Sequence, residues 1–353
     1  MVGVPRALRV LVMPVAAAWS VAVAAVGAAS AIGVGIAVRT APVLRPRPEL
    51  AAELSELATV CSLVSDTHLV APGAVPEELA IYPAQWPRRE LPARGELLAG
   101  LARVLRDVRR HGPRTVIWCG DEVDTGLPAE WAGWREVVDA VPGLAHRIVP
   151  GNHDICFNRP FDEDHLLARR AQRERAFQEQ GPRLADYPIV DTIISAQGAV
   201  HVALLDSCRR RSKHVLSNAI GELGEVQLAE LDRLLANLRG PLLVVAHHHM
   251  WRDARFLDPE AWFETAVDAG ALVALLERYR RRGPTNRVLI CHGHRHAATL
   301  GTVGEDCAVV GLPSTTLGDK SRSPVLDGVV RYTVAGLRRD GSWGIAMREL
   351  GPL

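Results

Sequence analysis

Lysine is almost absent from this chain: Lys213 and Lys320 are the only two, and arginine carries the remaining basic charge. Basic residues total 41 against 40 acidic ones, a formal net charge of +1. A surface that tracks a nucleic-acid strand needs an excess of lysine and arginine, with aromatic side chains on which bases stack. Aromatics make up 5% of the chain and no basic, aromatic-studded tract occurs, so nucleic acid is not an expected partner. Paired cysteines are missing too. Cys61, Cys119, Cys156, Cys208, Cys291 and Cys307 form no CxxC spacing, which argues against a zinc knuckle or a disulfide framework. Cys61, Cys119 and Cys291 lie in or beside apolar runs, where a free thiol behaves as a small apolar residue. No internal repeat appears at the periods of roughly 20–50 residues that mark solenoids.

Charge is absent from one more place. Residues 10–38 carry none, and Arg9 and Arg39 bracket them. A helix of that length would extend about 43 Å, ample for a hydrocarbon core of about 30 Å. Pro14, Gly27, Gly33 and Gly35 weaken such a helix less in lipid than in water. A cleavable signal peptide competes, since Arg6 and Arg9 form a basic start and small residues follow. Its apolar region is usually only about 7–15 residues, so an uncleaved single-pass membrane anchor is favoured, with secretion after cleavage as the alternative. Basic residues on the two sides nearly balance, so the side occupied by the remainder is not read. Residues 1–39 are therefore expected as anchor or signal sequence. Residues 40–57, with Pro42, Pro46 and Pro48, are expected as a linker before a domain over 58–350.

Within 58–350 strand-like and helix-like patterns alternate. Leu97, Leu98, Leu101, Val104, Leu105 and Val108 recur at helical spacing, as do Glu222 to Leu238 and Leu272 to Tyr279. Strand-like runs dominate afterwards, at 308–310, 329–334 and 343–347. The pattern predicts an α/β fold closed by extra antiparallel strands. The stretch 155–188 is strongly charged. It reads as a solvated helix with loops, or as a lid, because it directly follows one of the motifs below.

Those motifs are the most informative feature. Asp66-Thr67-His68, Gly120-Asp121-Glu122-Val123-Asp124, Gly151-Asn152-His153-Asp154, His247-His248-His249 and Gly293-His294-Arg295-His296 each follow a short apolar run. Such runs read as buried strands, and ligands of open α/β sheets collect at their carboxyl ends. Carboxylate, amide and imidazole together suit Mn, Fe, Zn or similar divalent ions.

The order and form of these motifs resemble the calcineurin-like metallophosphoesterase family over roughly residues 58–320. Leu204-Leu205-Asp206-Ser207, Gln227 and Pro313-Ser314-Thr315-Thr316 fit the same resemblance. It implies a layered α/β sandwich of two mixed sheets flanked by helices, here preceded by one hydrophobic N-terminal helix. It also implies two divalent metal ions. Asp66, His68 and His296 would hold the first, Asp121 would bridge, and Asn152, His247 and His294 would hold the second. A water acidified by the ions would attack phosphorus as hydroxide. His153 would protonate the leaving oxygen, and Asp154 would hold that imidazole in its tautomer. Asp124 is expected beside the ligands rather than among them, and His292 beside the site. Glu122 and Met250 depart from the family pattern without removing a ligand.

The function implied is metal-dependent hydrolysis of a phosphomonoester or phosphodiester, closest to a phosphodiesterase-like subgroup. Its substrate would be a small phosphoester or, given the anchor, a lipid phosphate. A non-catalytic scaffold of the same fold and a nuclease are the alternatives. A scaffold would be expected to have lost ligands, and none is missing.

Overall fold

The computed structural model describes residues 41–73, 92–155, 166–208, 220–252, 265–321 and 326–353. Among them lie twelve strands in two mixed sheets. In chain order the strands are β1 Arg45–Pro46, β2 Ala58–Val64, β3 Thr115–Trp118, β4 Ala145–Ile148, β5 Ile189–Ser195 and β6 Gly198–Leu204, followed by β7 Leu242–Val245, β8 Val288–His292, β9 Thr299–Val303, β10 Cys307–Gly311, β11 Val329–Leu337 and β12 Trp343–Pro352. The helices are α1 Arg94–His111, α2 Pro128–Asp139, α3 Asn152–Ile155, α4 Leu166–Gln178, α5 Glu225–Leu235 and α6 Ala269–Arg281.

One sheet has the order β1-β9-β10-β8-β7-β6-β5, the other β12-β11-β2-β3-β4. Strands β2, β3 and β4 are mutually parallel, as are β6, β7, β8 and β10. Antiparallel strands close the edges: β5, β9 and β1 on the first sheet, β11 and β12 on the second. The expected two-sheet α/β sandwich is present. Apolar faces of the two sheets meet in one core that includes Leu63, Val116, Trp118, Leu243, Leu289 and Val310. A second core lies under α5 and α6, around Leu231, Leu235, Leu272 and Leu276.

Helix α1 buries Leu97, Leu101, Val104, Leu105 and Val108 along one face, while Leu98 is half-buried at its margin. Arg109, Arg110 and His111 stand in its last turn, where cations meet the negative end of the helix dipole. Helix α2 went unanticipated. It buries Trp131 and Trp134, which stack edge-on near Trp118 and Phe177.

Residues 41–57 are bound to the domain rather than strung beside it. Strand β1 pairs with β9, Leu50 is buried, and Ala52 N–H donates to the Ile345 carbonyl at 2.9 Å. The charged stretch 155–188 contains α4, whose Ala176 and Phe177 are buried, so the helix is not solvated all round. Of the 155–188 stretch read as a possible lid, residues 156–165 lie outside the described residues, as does the uncharged run 10–38. Among the described residues no helix is long and apolar enough to cross a membrane.

Candidate metal centre

Parallel strands from both sheets end at one place, and the loops that leave them interlock. Asp66 N–H donates to the Gly120 carbonyl at 3.0 Å, His68 N–H to Asp121 at 3.1 Å, and Gly293 N–H to His247 at 3.1 Å. The motif glycines permit this proximity. A Cβ at Gly151 would lie 2.1 Å from Asp121 Oδ1, and one at Gly293 2.4 Å from Asp66 Oδ2. The backbone is bent to match. Asp66, His68, Asp121, His294 and His296 all have positive φ, between 44° and 68°. They are the non-glycine residues with that conformation among those described, and all are expected ligands. Strain of this kind, of order 1–3 kcal/mol per residue, persists where surrounding structure over-determines the site.

Two clusters result. Asp66, His68 and His296 offer ligand atoms that all lie within 4.8 Å of one another, and Asp121, His247 and His294 do the same. His68 Nε2 is 3.1 Å from His296 Nε2, and His296 Nε2 is 3.2 Å from Asp66 Oδ1. In the second cluster His247 Nε2 stands 3.0 Å from Asp121 Oδ2, 3.1 Å from Asn152 Oδ1 and 3.1 Å from His294 Nδ1. The structure thus brings all seven expected ligands into two adjoining groups. A further triad, His68, Asp124 and His153, is equally compact and shares His68.

Protonation fits a cation. Burial, helped by neighbouring histidines, pushes His294 well down. Burial also takes His296 down to about 4, against the pull of Asp66. Both imidazoles are then neutral and present lone pairs, the form that binds metal. Burial alone would raise the Asp121 carboxyl, yet His247 and then His153 outweigh it and keep the group ionised. Against burial, the Asp121 carboxylate holds His247 up to about 9, and Asp124 and Asp121 raise His68, so each cluster also gathers a proton that a divalent cation would displace.

Surrounding contacts orient the ligands. His247 Nδ1–H donates to the Cys119 carbonyl at 2.9 Å, which fixes Nε2 towards the cluster. Asp124 Oδ1 is 3.3 Å from His68 Nδ1, on the ring side away from His296. That is the carboxylate–histidine relay that aligns metal ligands. Ser314 and Thr316 hydroxyls donate to the carbonyls of Asp66 and Thr67 at 2.6 and 2.7 Å.

One expected role changes. Asp154 does not hold His153. Its carboxylate accepts backbone N–H from Gly151 (2.8 Å), Asp121 (2.9 Å), Glu122 (3.0 Å) and Val123 (3.2 Å), and so shapes the loop that presents Asp121. The imidazole of His153 is set instead by the Asp124 main-chain carbonyl, 2.8 Å from Nδ1. His153 Nε2 is 4.0 Å from Asp121 Oδ2. The short α3 explains the swap: starting at Asn152, it points residues one apart in different directions. His292 packs beside the site, accepting Trp251 Nε1–H at 2.9 Å. His248 is held by the Ser207 hydroxyl at 2.8 Å and His249 by Thr265 at 2.7 Å, contacts that the sequence did not announce.

A sandwich of two sheets whose strand ends gather His, Asp and Asn donors defines a metal-binding α/β protein. A profile of the calcineurin-like phosphoesterase family matches residues 63–298, and the chain belongs to that family. Its fold resembles a dimetal phosphatase from Danio rerio, at 16% identity and a TM-score of 0.51, covering 84% of this chain and 97% of that one. A purple acid phosphatase from yellow lupin seeds aligns at 12% identity and a TM-score of 0.45, over 83% of this chain and 54% of that one. A 5'-nucleotidase from Candida albicans aligns at 13% and 0.43, over 85% and 53%. No curated protein sequence matches.

Proposed function

We propose that this chain hydrolyses phosphoric esters with two divalent cations, one held by Asp66, His68 and His296, the other by Asn152, His247 and His294, with Asp121 shared. The observation that carries the reading is the convergence of two buried groups of His and Asp donors on the Asp121 loop. When bound, the cations supply Lewis acidity and lower the pKa of water, so that an attacking oxygen is available near neutral pH.

The chain's own residues do the rest. The Asp154 carboxylate fixes the 121–123 backbone and with it the direction of Asp121. Asp124 aligns His68 through its side chain and His153 through its carbonyl. With Nδ1–H committed to that carbonyl, Nε2 is the atom of His153 that exchanges a proton with the leaving oxygen. Burial of the clusters excludes bulk water and strengthens each of these interactions. The Gly151-Asn152-His153-Asp154 motif and the histidine run support a diester preference. The uncharged run 10–38 supports attachment to a membrane as a single-pass protein.

The test uses the purified full-length chain in detergent with Mn²⁺, on p-nitrophenyl phosphate and bis(p-nitrophenyl) phosphate. Hydrolysis of one or both, abolished by chelation and reduced about 10²-fold or more in Asp121→Asn, is expected. Unchanged activity in Asp121→Asn would overturn the assignment. No hydrolysis of either ester would favour the scaffold.

A further inference from the structure

We infer that this chain holds a second binding site, between the two sheets and apart from the metal centre, for a small neutral molecule with an amide head on an apolar body. The inference goes beyond the hydrolase reading and does not depend on it.

The site is a cavity of about 690 Å³, within the range of small-molecule pockets. Strands β9 and β10 of one sheet and β11 and β12 of the other wall it. One end is closed by the segment that crosses between the sheets, where Pro46 pairs with Gly301 and Ala52 N–H donates to the Ile345 carbonyl. Its described lining includes none of the seven expected metal ligands. The period of a strand turns Ile345, Met347 and Glu349 to one face of β12, and all three line the cavity. Opposite them stand Leu300 and Val310, themselves cross-strand partners, so the body of the cavity is apolar. Met347 is 39% exposed there, one of three large apolar side chains left so open among the described residues.

Arg331 and Glu349, which pair across β11 and β12, give the cavity a polar end. Arg331 is only 3% exposed, and its terminal nitrogens are engaged. Nη2 donates to Asp327 Oδ2 at 2.7 Å, and Nη1 lies 3.4 Å from Asp319 Oδ2. Its Nε–H meets no acceptor among the described residues. A buried donor left in this way bears its full desolvation cost, which an acceptor entering the cavity would relieve. Charge selects the kind of acceptor. Asp319, Asp327 and Glu349 outnumber the one guanidinium, so an anion is repelled. Asp319 already accepts the Ala298 and Ser321 N–H groups, and Asp327 those of Asp319 and Val329. Glu349 stands at the rim, its side chain 61% exposed and 3.6 Å from Arg331 Nη2, with acceptor capacity to spare. A cation there would sit in water rather than in the cavity. A carbonyl for Nε–H beside an N–H for Glu349 is the pattern of an amide.

The experiment titrates the purified full-length chain in detergent with benzamide, benzoate and benzylamine by calorimetry. Each titration is repeated on Met347→Trp, which fills the cavity from its exposed wall. Binding lost in that variant belongs to the cavity, whereas benzoate held at a metal would persist in it. Benzamide is expected to bind there with a dissociation constant of about 1 mM or tighter, at least about fivefold below that of either charged probe. Arg331→Lys keeps a cation beside Asp319 and Asp327 but removes the Nε–H, and should erase that preference. Equal benzamide affinity in the native chain and Met347→Trp would overturn the inference. So would benzamide binding no tighter than benzoate and benzylamine, or an undiminished preference in a folded Arg331→Lys. Should Arg331→Lys misfold, the native chain and Met347→Trp still decide. Ester hydrolysis enters none of these readings, so a failure of the hydrolase reading leaves this one standing.

Discussion

His153 stands where one atom decides chemistry without deciding assembly. Its Nδ1 is committed to the Asp124 carbonyl, while its ring packs edge-on against His68 with centroids 4.7 Å apart. It belongs to neither of the two clusters assigned to cations, so His153→Ala should leave their stoichiometry at two. Its kcat should fall on the order of 10²–10⁴-fold with little change in KM, the usual range for losing a positioned acid. Steady-state kinetics alongside metal analysis of the same preparation check both halves. A matching fall in metal content would make His153 a ligand instead. The identity of the donors was legible in the sequence because Asp, Asn and His cluster just after strand-like runs. The partner of His153 was not. Asp154 is the nearer carboxylate in sequence, yet the turn of α3 sends it to four backbone N–H groups, and a main-chain carbonyl takes its place. Main-chain acceptors leave no trace in residue type.

At the scale of elements, the entry to α2 carries a titratable group that the metal chemistry does not use. Glu130 accepts Thr125 N–H and Leu127 N–H on one oxygen, at 3.0 and 3.1 Å, and the Thr125 hydroxyl on the other at 2.9 Å. Burial, reinforced by the charge of Asp124, pushes its carboxyl up to about 7. The folded chain then holds a proton here that the unfolded chain releases from about pH 4.5 upwards. Its contribution is complete below about pH 4.5 and is lost as pH rises through about 7. In Glu130→Gln the amide oxygen can accept both N–H groups and its NH₂ can donate to Thr125, without ionising. The Tm of the native chain minus that of the variant should therefore shrink as pH goes from 5 to 8. A difference that grows with pH would contradict this. Helix α2 itself was hidden because Trp131 and Trp134, three apart, face a tryptophan-lined core rather than forming a long apolar stripe. Strands β2, β3, β7 and β8 were easy to read. They are buried on both faces, and parallel strands of that kind spell continuous apolar runs.

Across the whole molecule, the segment before β2 belongs to the fold. Its prolines suggested a linker, but proline is also tolerated on a two-residue edge strand such as β1, which covers the side of β9. Leu50 reaches the core, and the guanidinium of Arg338 binds the carbonyls of Glu49, Leu50 and Ala51 at 2.6, 3.2 and 2.8 Å. Burial of one leucine contributes about 1.5–3 kcal/mol, and an uncovered edge invites association. A chain beginning at Ala41 should therefore melt about 5 °C or more above one beginning at Ala58, and stay monodisperse where the shorter one aggregates. Equal melting temperatures by scanning calorimetry would show the segment to be ornamental. The pairing of β1 with β9 joins residues far apart in the chain, and two-residue pairings carry no periodicity to read.

The account depends on where cations settle among the three compact donor groups. Anomalous diffraction at the manganese edge from crystals grown with Mn²⁺ measures that directly. Two peaks sharing Asp121 are predicted, one against Asp66, His68 and His296, the other against Asn152, His247 and His294. A single peak held by His68, Asp124 and His153, or none within reach of Asp121, would contradict it.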